Sequence, residues 1–135
     1  MAALSAIVVV VMLGFGFSSI GGPSTQRMRR ADQKRVQDLY QVTDKIHNLW
    51  ISQHKLPEHL DALVDVPLAD PITRLPYEYH LKAGSEYELC AMFAARSEDS
   101  EGASRARGWS HPAGRHCFSI NVEQMLDNPY VYYPY

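Results

Sequence analysis

The chain has 135 residues, 46% of them hydrophobic and 21% charged, with a formal net charge of −2. Five of the 13 Lys and Arg residues stand between positions 27 and 35, against one of the 15 Asp and Glu residues. That stretch therefore carries +4, and the remainder holds 8 basic and 14 acidic residues. An acidic bulk behind a short basic stretch argues against nucleic acid as a partner, and the length admits one small domain rather than two.

The first element is an uncharged run from Ala2 to Ile20 that includes Ile7, Val8, Val9, Val10, Val11, Met12, Leu13, Phe15 and Phe17. As a helix it would measure about 28 Å, close to the hydrocarbon thickness of a bilayer. A helix also satisfies its own backbone hydrogen bonds in lipid. The run predicts a transmembrane anchor over residues 1–22. A cleaved signal peptide is the competing reading. No Lys or Arg precedes Leu4, and Ser18-Ser19 and Gly21-Gly22 make a poor cleavage site, so the segment is expected to stay on the mature chain. The basic stretch that follows, Arg27, Arg29, Arg30, Lys34 and Arg35, is expected to touch lipid phosphate, at about 1 kcal/mol per residue near an anionic surface. By itself it favours a cytoplasmic position for the domain.

From Pro23 the pattern predicts a helix to about Gln53, with Ser24 or Thr25 as its cap. Val36, Leu39, Thr43, Ile46 and Trp50, flanked by Val42 and Leu49, form one apolar stripe at helical spacing. Lys34, Gln37, Gln41, Lys45, Asn48 and Gln53 occupy the opposite face. The stripe reads as the side that packs on the protein's own sheet rather than as a coiled-coil seam. Leu56 to Val64 reads as a short second helix with Pro57 in its first turn. Pro67, Pro71 and Pro76 then forbid regular structure.

Three strand candidates follow. Tyr77, Tyr79 and Leu81 alternate with Glu78 and His80, a turn at Lys82–Ser85 leads to Tyr87–Phe93, and His116–Val122 places Phe118, Ile120 and Val122 on one face. Ala95–Arg115 is a charged loop between the last two. The sum is an α+β unit over residues 23–126, one long amphipathic helix laid on a small antiparallel sheet. Residues 127–135 form a tail in which Tyr130, Tyr132, Tyr133 and Tyr135 stand with two prolines in the last eight residues. Tyrosine combines apolar area with a hydroxyl and few torsions, so this extended strip is a candidate partner-binding surface. Folding back onto the sheet is the alternative.

Candidate chemistry is sparse. Cys90 and Cys117 lie in two strand candidates and are a candidate disulfide, which would need an oxidising compartment; two buried free thiols are the alternative. His111, His116, Cys117 and Cys90 do not match zinc-ligand spacing, and His47 and His54 stand seven apart. Glu98, Asp99 and Glu101 lack the alternation of a calcium loop. Neither G-x-S-x-G nor a glycine-rich phosphate loop is present. Trp109 reads as a core or edge-covering residue. No enzyme activity, cofactor, metal or small-molecule substrate is expected.

The order of parts resembles the pilin-like proteins: an apolar N-terminal helix, a proline near its end, an amphipathic continuation and a small sheet. Asp70-Pro71-Ile72-Thr73-Arg74-Leu75-Pro76-Tyr77-Glu78-Tyr79 is similar to the D-P-W-G-N-P-Y-x-Y segment before the sheet in the major pseudopilin of type II secretion. Leu56-Pro57 with Leu60-Asp61-Ala62-Leu63 is similar to that family's Y-P-T…L-x-x-L. The chain also resembles the extramembrane domain of a group of uncharacterised bacterial membrane proteins. The shared marks are Gly22-Pro23, Arg35-Val36-Gln37-Asp38-Leu39, Asp70 to Tyr79, Leu89-Cys90-Ala91-Met92-Phe93 and Trp109 to Phe118. Pilins begin their mature chain with F-T-L-I-E, where this one has Ala2-Ala3-Leu4-Ser5-Ala6 and no glutamate in the apolar run.

The resemblance thus implies a pilin-like fold and an extracytoplasmic domain on the inner membrane, without fibre assembly. The expected role is an accessory subunit of a larger membrane complex, such as a photosynthetic or respiratory one, with the bilayer and the other subunits as partners. A minor pseudopilin-like component of a secretion or fibre system is the alternative.

Overall fold

The computed structural model describes residues 23–99 and 107–127. The anchor expected over residues 1–22 and the tyrosines of the tail lie outside them. Among the described residues no helix is long and apolar enough to cross a membrane.

Helix α1 spans Pro23–Gln53, about 46 Å at 1.5 Å per residue. Its interior from Ser24 onward holds neither Gly nor Pro, and apolar residues recur at 3–4 spacing, so one face is continuously available for packing. Leu39, Val42, Thr43 and Ile46 are buried on that face, with Val36, Leu49 and Trp50 partly buried beside them. The helix ends at His54, whose left-handed backbone (φ 52°) still donates its N–H to the Trp50 carbonyl at 2.8 Å.

Strands β1 (Glu78–Leu81), β2 (Glu86–Phe93) and β3 (Gly114–Asn121) form an antiparallel sheet in the order β1-β2-β3. Gly84, at φ 71°, carries the turn between the first two. Alternation puts Tyr87, Leu89, Ala91 and Phe93 of β2 and Phe118 and Ile120 of β3 on the face that meets α1. Trp109, 1% exposed, closes this core against Phe118 at a ring separation of 4.8 Å. The fold is α+β, a long helix on a small three-stranded antiparallel sheet.

Two expectations about local structure are corrected. Leu56 to Val64 is not a helix but an extended passage with a single 3-10 turn at Leu60–Ala62. The Pro57 carbonyl accepts the Tyr79 hydroxyl at 2.8 Å instead of a helical N–H, and His59 is extended. Leu56, Leu60 and Leu63 are buried as three separate anchors of this passage. The third strand stops at Asn121, and Val122–Asp127 is a short helix, α2. The Asn121 side-chain oxygen accepts the N–H groups of Glu123 and Gln124, an N-cap that turns the chain out of the sheet and buries Val122 and Met125.

Candidate functional site

The third to fifth turns of α1 carry an unexpected polar seam. Asp32, Arg35 and Asp38 lie at i, i+3 and i+6 and are all buried, continuing the apolar face toward the N-terminus. Arg35 donates from Nε to Asp70 Oδ2 at 2.5 Å, from Nη2 to Asp70 Oδ1 at 3.2 Å and from Nη1 to Asp32 Oδ1 at 2.6 Å. Asp32 also accepts the N–H groups of Ala94 and Ala95, where β2 ends. Asp38 accepts the Tyr77 hydroxyl at 3.0 Å and pairs with Lys34 at 2.6 Å. One helical seam therefore holds the end of β2, the Asp70 loop and the approach to β1.

This network sets the protonation of its members. Burial alone would raise the Asp70 carboxyl, but the Arg35 guanidinium and the N–H groups of Thr73 and Ile72 outweigh it and hold the group at about 2. Burial, reinforced by the Asp38 carboxylate, pushes the Tyr77 hydroxyl well above its usual value, so it stays a donor.

Arg35 is the correction to the lipid-contact set. It is 5% exposed, and its guanidinium faces two carboxylates inside the domain. Arg27 and Arg30 are exposed, Lys34 is half exposed while paired with Asp38, and Arg29 is partly buried. Arg27, Arg30 and Lys34 share one outward face of α1 by their 3–4 spacing.

Asp70 also organises the loop that follows it. Its Oδ1 accepts from Ile72 and Thr73 at 2.8 Å each, and backbone bonds from Asp70 to Leu75 and from Tyr77 to Leu68 close the loop around an Ala69–Pro76 bridge. The three prolines in this region thus frame a tight loop. At its tip Ile72 and Leu75 are each 66% exposed, a small apolar knob on a base fixed by the Arg35–Asp70 pair.

The outer face of the sheet carries the cysteines. Cys90 and Cys117, opposite one another on β2 and β3, form a disulfide with Cα atoms 4.0 Å apart. Both are therefore removed from the zinc set considered from sequence. Glu78, His80 and Cys90 lie close together on this face, but the sulfur is bonded and Arg115 spans the group, donating to Glu78 at 2.6 and 3.0 Å. A guanidinium in that position disfavours a cation.

His111 is buried and stacked on Phe93 at 3.6 Å, and burial lowers its pKa. Together with Ser97 it closes the base of the loop between β2 and β3, through Ser97 N–H to the His111 carbonyl and His111 N–H to Ser97 Oγ. Glu98 is exposed in that loop, and Glu101 lies outside the described residues. His47 is partly buried, while His54 is exposed and sits beside Trp50. An open cleft of about 550 Å³ is lined by Trp50, His54, Leu56, Leu81, Lys82 and Glu123 among others.

Comparison of the chain with protein-family models, with curated proteins and with solved structures finds no match.

Proposed function

We propose that this chain is a non-catalytic, single-pass membrane protein whose pilin-like α+β domain lies outside the cytoplasmic membrane. There it serves as an accessory subunit of a larger membrane complex. One juxtaposition carries the reading: the uncharged run from Ala2 to Ile20 leads directly into a disulfide-bonded domain. The run supports an anchor by its length, and the disulfide supports an oxidising compartment for the domain. The buried polar side chains Asp32, Arg35, Asp38, Asp70 and Tyr77 are consumed in holding the fold, which supports a structural rather than a chemical role.

In this reading Arg27, Arg30 and Lys34 meet lipid headgroups, and the Ile72–Leu75 knob and the Tyr130–Tyr135 strip meet neighbouring subunits. A long helix on an antiparallel sheet also suits a minor pseudopilin-like component. A processed N-terminus and self-association distinguish that alternative.

The test is co-purification from membranes in mild detergent, comparing the full chain with a variant lacking residues 128–135. Loss of bound subunits with an unchanged melting temperature is the expected result. A large fall in melting temperature would assign the tail to the domain's own core instead.

A further inference from the structure

We propose that Cys117 is a thiol-exchange site, at which a small thiolate attacks the sulfur and the disulfide opens with Cys90 as leaving group. The two cysteines differ in position and surroundings. Cys90 stands on the central strand and is 1% exposed, whereas Cys117 stands on the edge strand β3 and is partly exposed. Displacement at a disulfide needs the incoming sulfur in line with the bond, on the side away from the leaving sulfur. For Cys117 that approach comes from beyond β3, where no further strand lies among the described residues. For Cys90 it comes from the β1 side, where Glu78 is paired opposite it and Arg115 bridges across.

The leaving group is prepared as well. Arg115 Nη2 lies 3.7 Å from Cys90 Sγ, in donor position, while holding the Glu78 carboxylate. A guanidinium beside a sulfur favours its thiolate, and a better-stabilised thiolate leaves faster. Of the three strand carboxylates on this face, Glu78 is held by Arg115 and lies 3.5 Å from His80, Glu88 pairs with Lys82 at 3.3 Å, and Glu86 accepts from the Asn121 amide at 3.3 Å. The step balances without an outside oxidant: one thiolate is consumed, an S–S bond forms to Cys117, the Cys90–Cys117 bond breaks, and its electron pair stays on Cys90 as thiolate. The product is a mixed disulfide on an exposed strand edge and a buried thiolate beside Arg115.

The test treats the oxidised full chain in mild detergent with limiting glutathione, quenches by acid and alkylation within the first turnover, and maps the adduct by peptide mass spectrometry. The expected adduct is on Cys117, in at least about tenfold excess over Cys90. Arg115→Gln, a change at an exposed position, should slow opening about three- to tenfold and leave the melting temperature of the oxidised protein unchanged. Adduct mainly on Cys90 or equally on both, an unaltered rate in Arg115→Gln, or opening only as fast as global unfolding would each overturn the proposal.

Discussion

Replacing Asp70 with Asn keeps the side chain's shape and removes the charge that faces Arg35. The Arg35 and Asp70 side chains are 6% and 7% exposed, so water does not replace the lost partner. Breaking a buried pair by removing one member costs about 3–5 kcal/mol. Asp32 remains 2.6 Å from Arg35, and the Asn oxygen still accepts from Ile72 and Thr73, so about 3 kcal/mol is expected at neutral pH. Part of that difference is visible as pH dependence. The Asp70 carboxyl is lowered from 3.8 to about 2 on folding, which contributes about 2 kcal/mol of stability at neutral pH. Because the folded value is the lower one, that contribution is complete above the unfolded value and is lost as pH falls through about 2. The gap between wild type and Asp70→Asn should therefore narrow by about 1 kcal/mol between pH 7 and pH 3. Urea unfolding of the full chain in mild detergent, followed by tryptophan emission from buried Trp109 and partly buried Trp50, measures both quantities. A gap below about 1 kcal/mol at pH 7, or one that is the same at both pH values, would refute a stability role for the pair.

Reducing the Cys90–Cys117 disulfide, which spans a sequence separation of 27, should cost about 3.5 kcal/mol by loop-closure entropy, read as a fall in the urea midpoint with a steeper slope as the unfolded chain expands. His54→Gly should raise stability by about 1 kcal/mol, because His54 holds φ 52° at the end of α1; a lower melting temperature would instead credit the ring's place beside Trp50. The double change Ile72→Ser and Leu75→Ser, at positions each 66% exposed, should move stability by less than about 0.5 kcal/mol and reduce the amount of partner subunits that co-purify. Unchanged co-purification would remove the knob from the interface.

The fold was legible where periodicity is a direct consequence of burial. Leu39, Val42, Ile46, Tyr87, Leu89, Phe93, Phe118 and Ile120 all show the spacing of the face they bury, and the helix and three strands follow from them. Leu56 to Val64 misled because Pro57 suits the first turn of a helix, but the three leucines are equally well buried by an extended passage that touches the core three times, as the Tyr79–Pro57 hydrogen bond and the extended His59 show. The cap at Asn121 was readable, since an Asn followed by Val122-Glu123 is a helix-start signal, but the alternation through Val122 concealed it.

The polar seam was harder to see. Arg35 and Asp38 stand three apart on the helix, and Asp70 and Tyr77 seven apart in the loop, yet no local rule pairs positions separated by 35 and 39 residues. A basic stretch beside an apolar run reads as solvent-facing until its partners are in view. The signal available was angular: Arg35 and Asp38 extend the stripe of Leu39, Val42 and Ile46 by one turn. Glu78, Arg115 and the two cysteines came together only once the pairing register placed positions 78, 90 and 117 in one row.

The most direct measurement is native purification of the full chain from membranes in mild detergent, with quantitative mass spectrometry of everything retained. An accessory subunit should bring a defined set of other membrane proteins at a fixed ratio. Recovery of this chain alone, as a monomer or as a ladder of its own multimers, would contradict the proposed role.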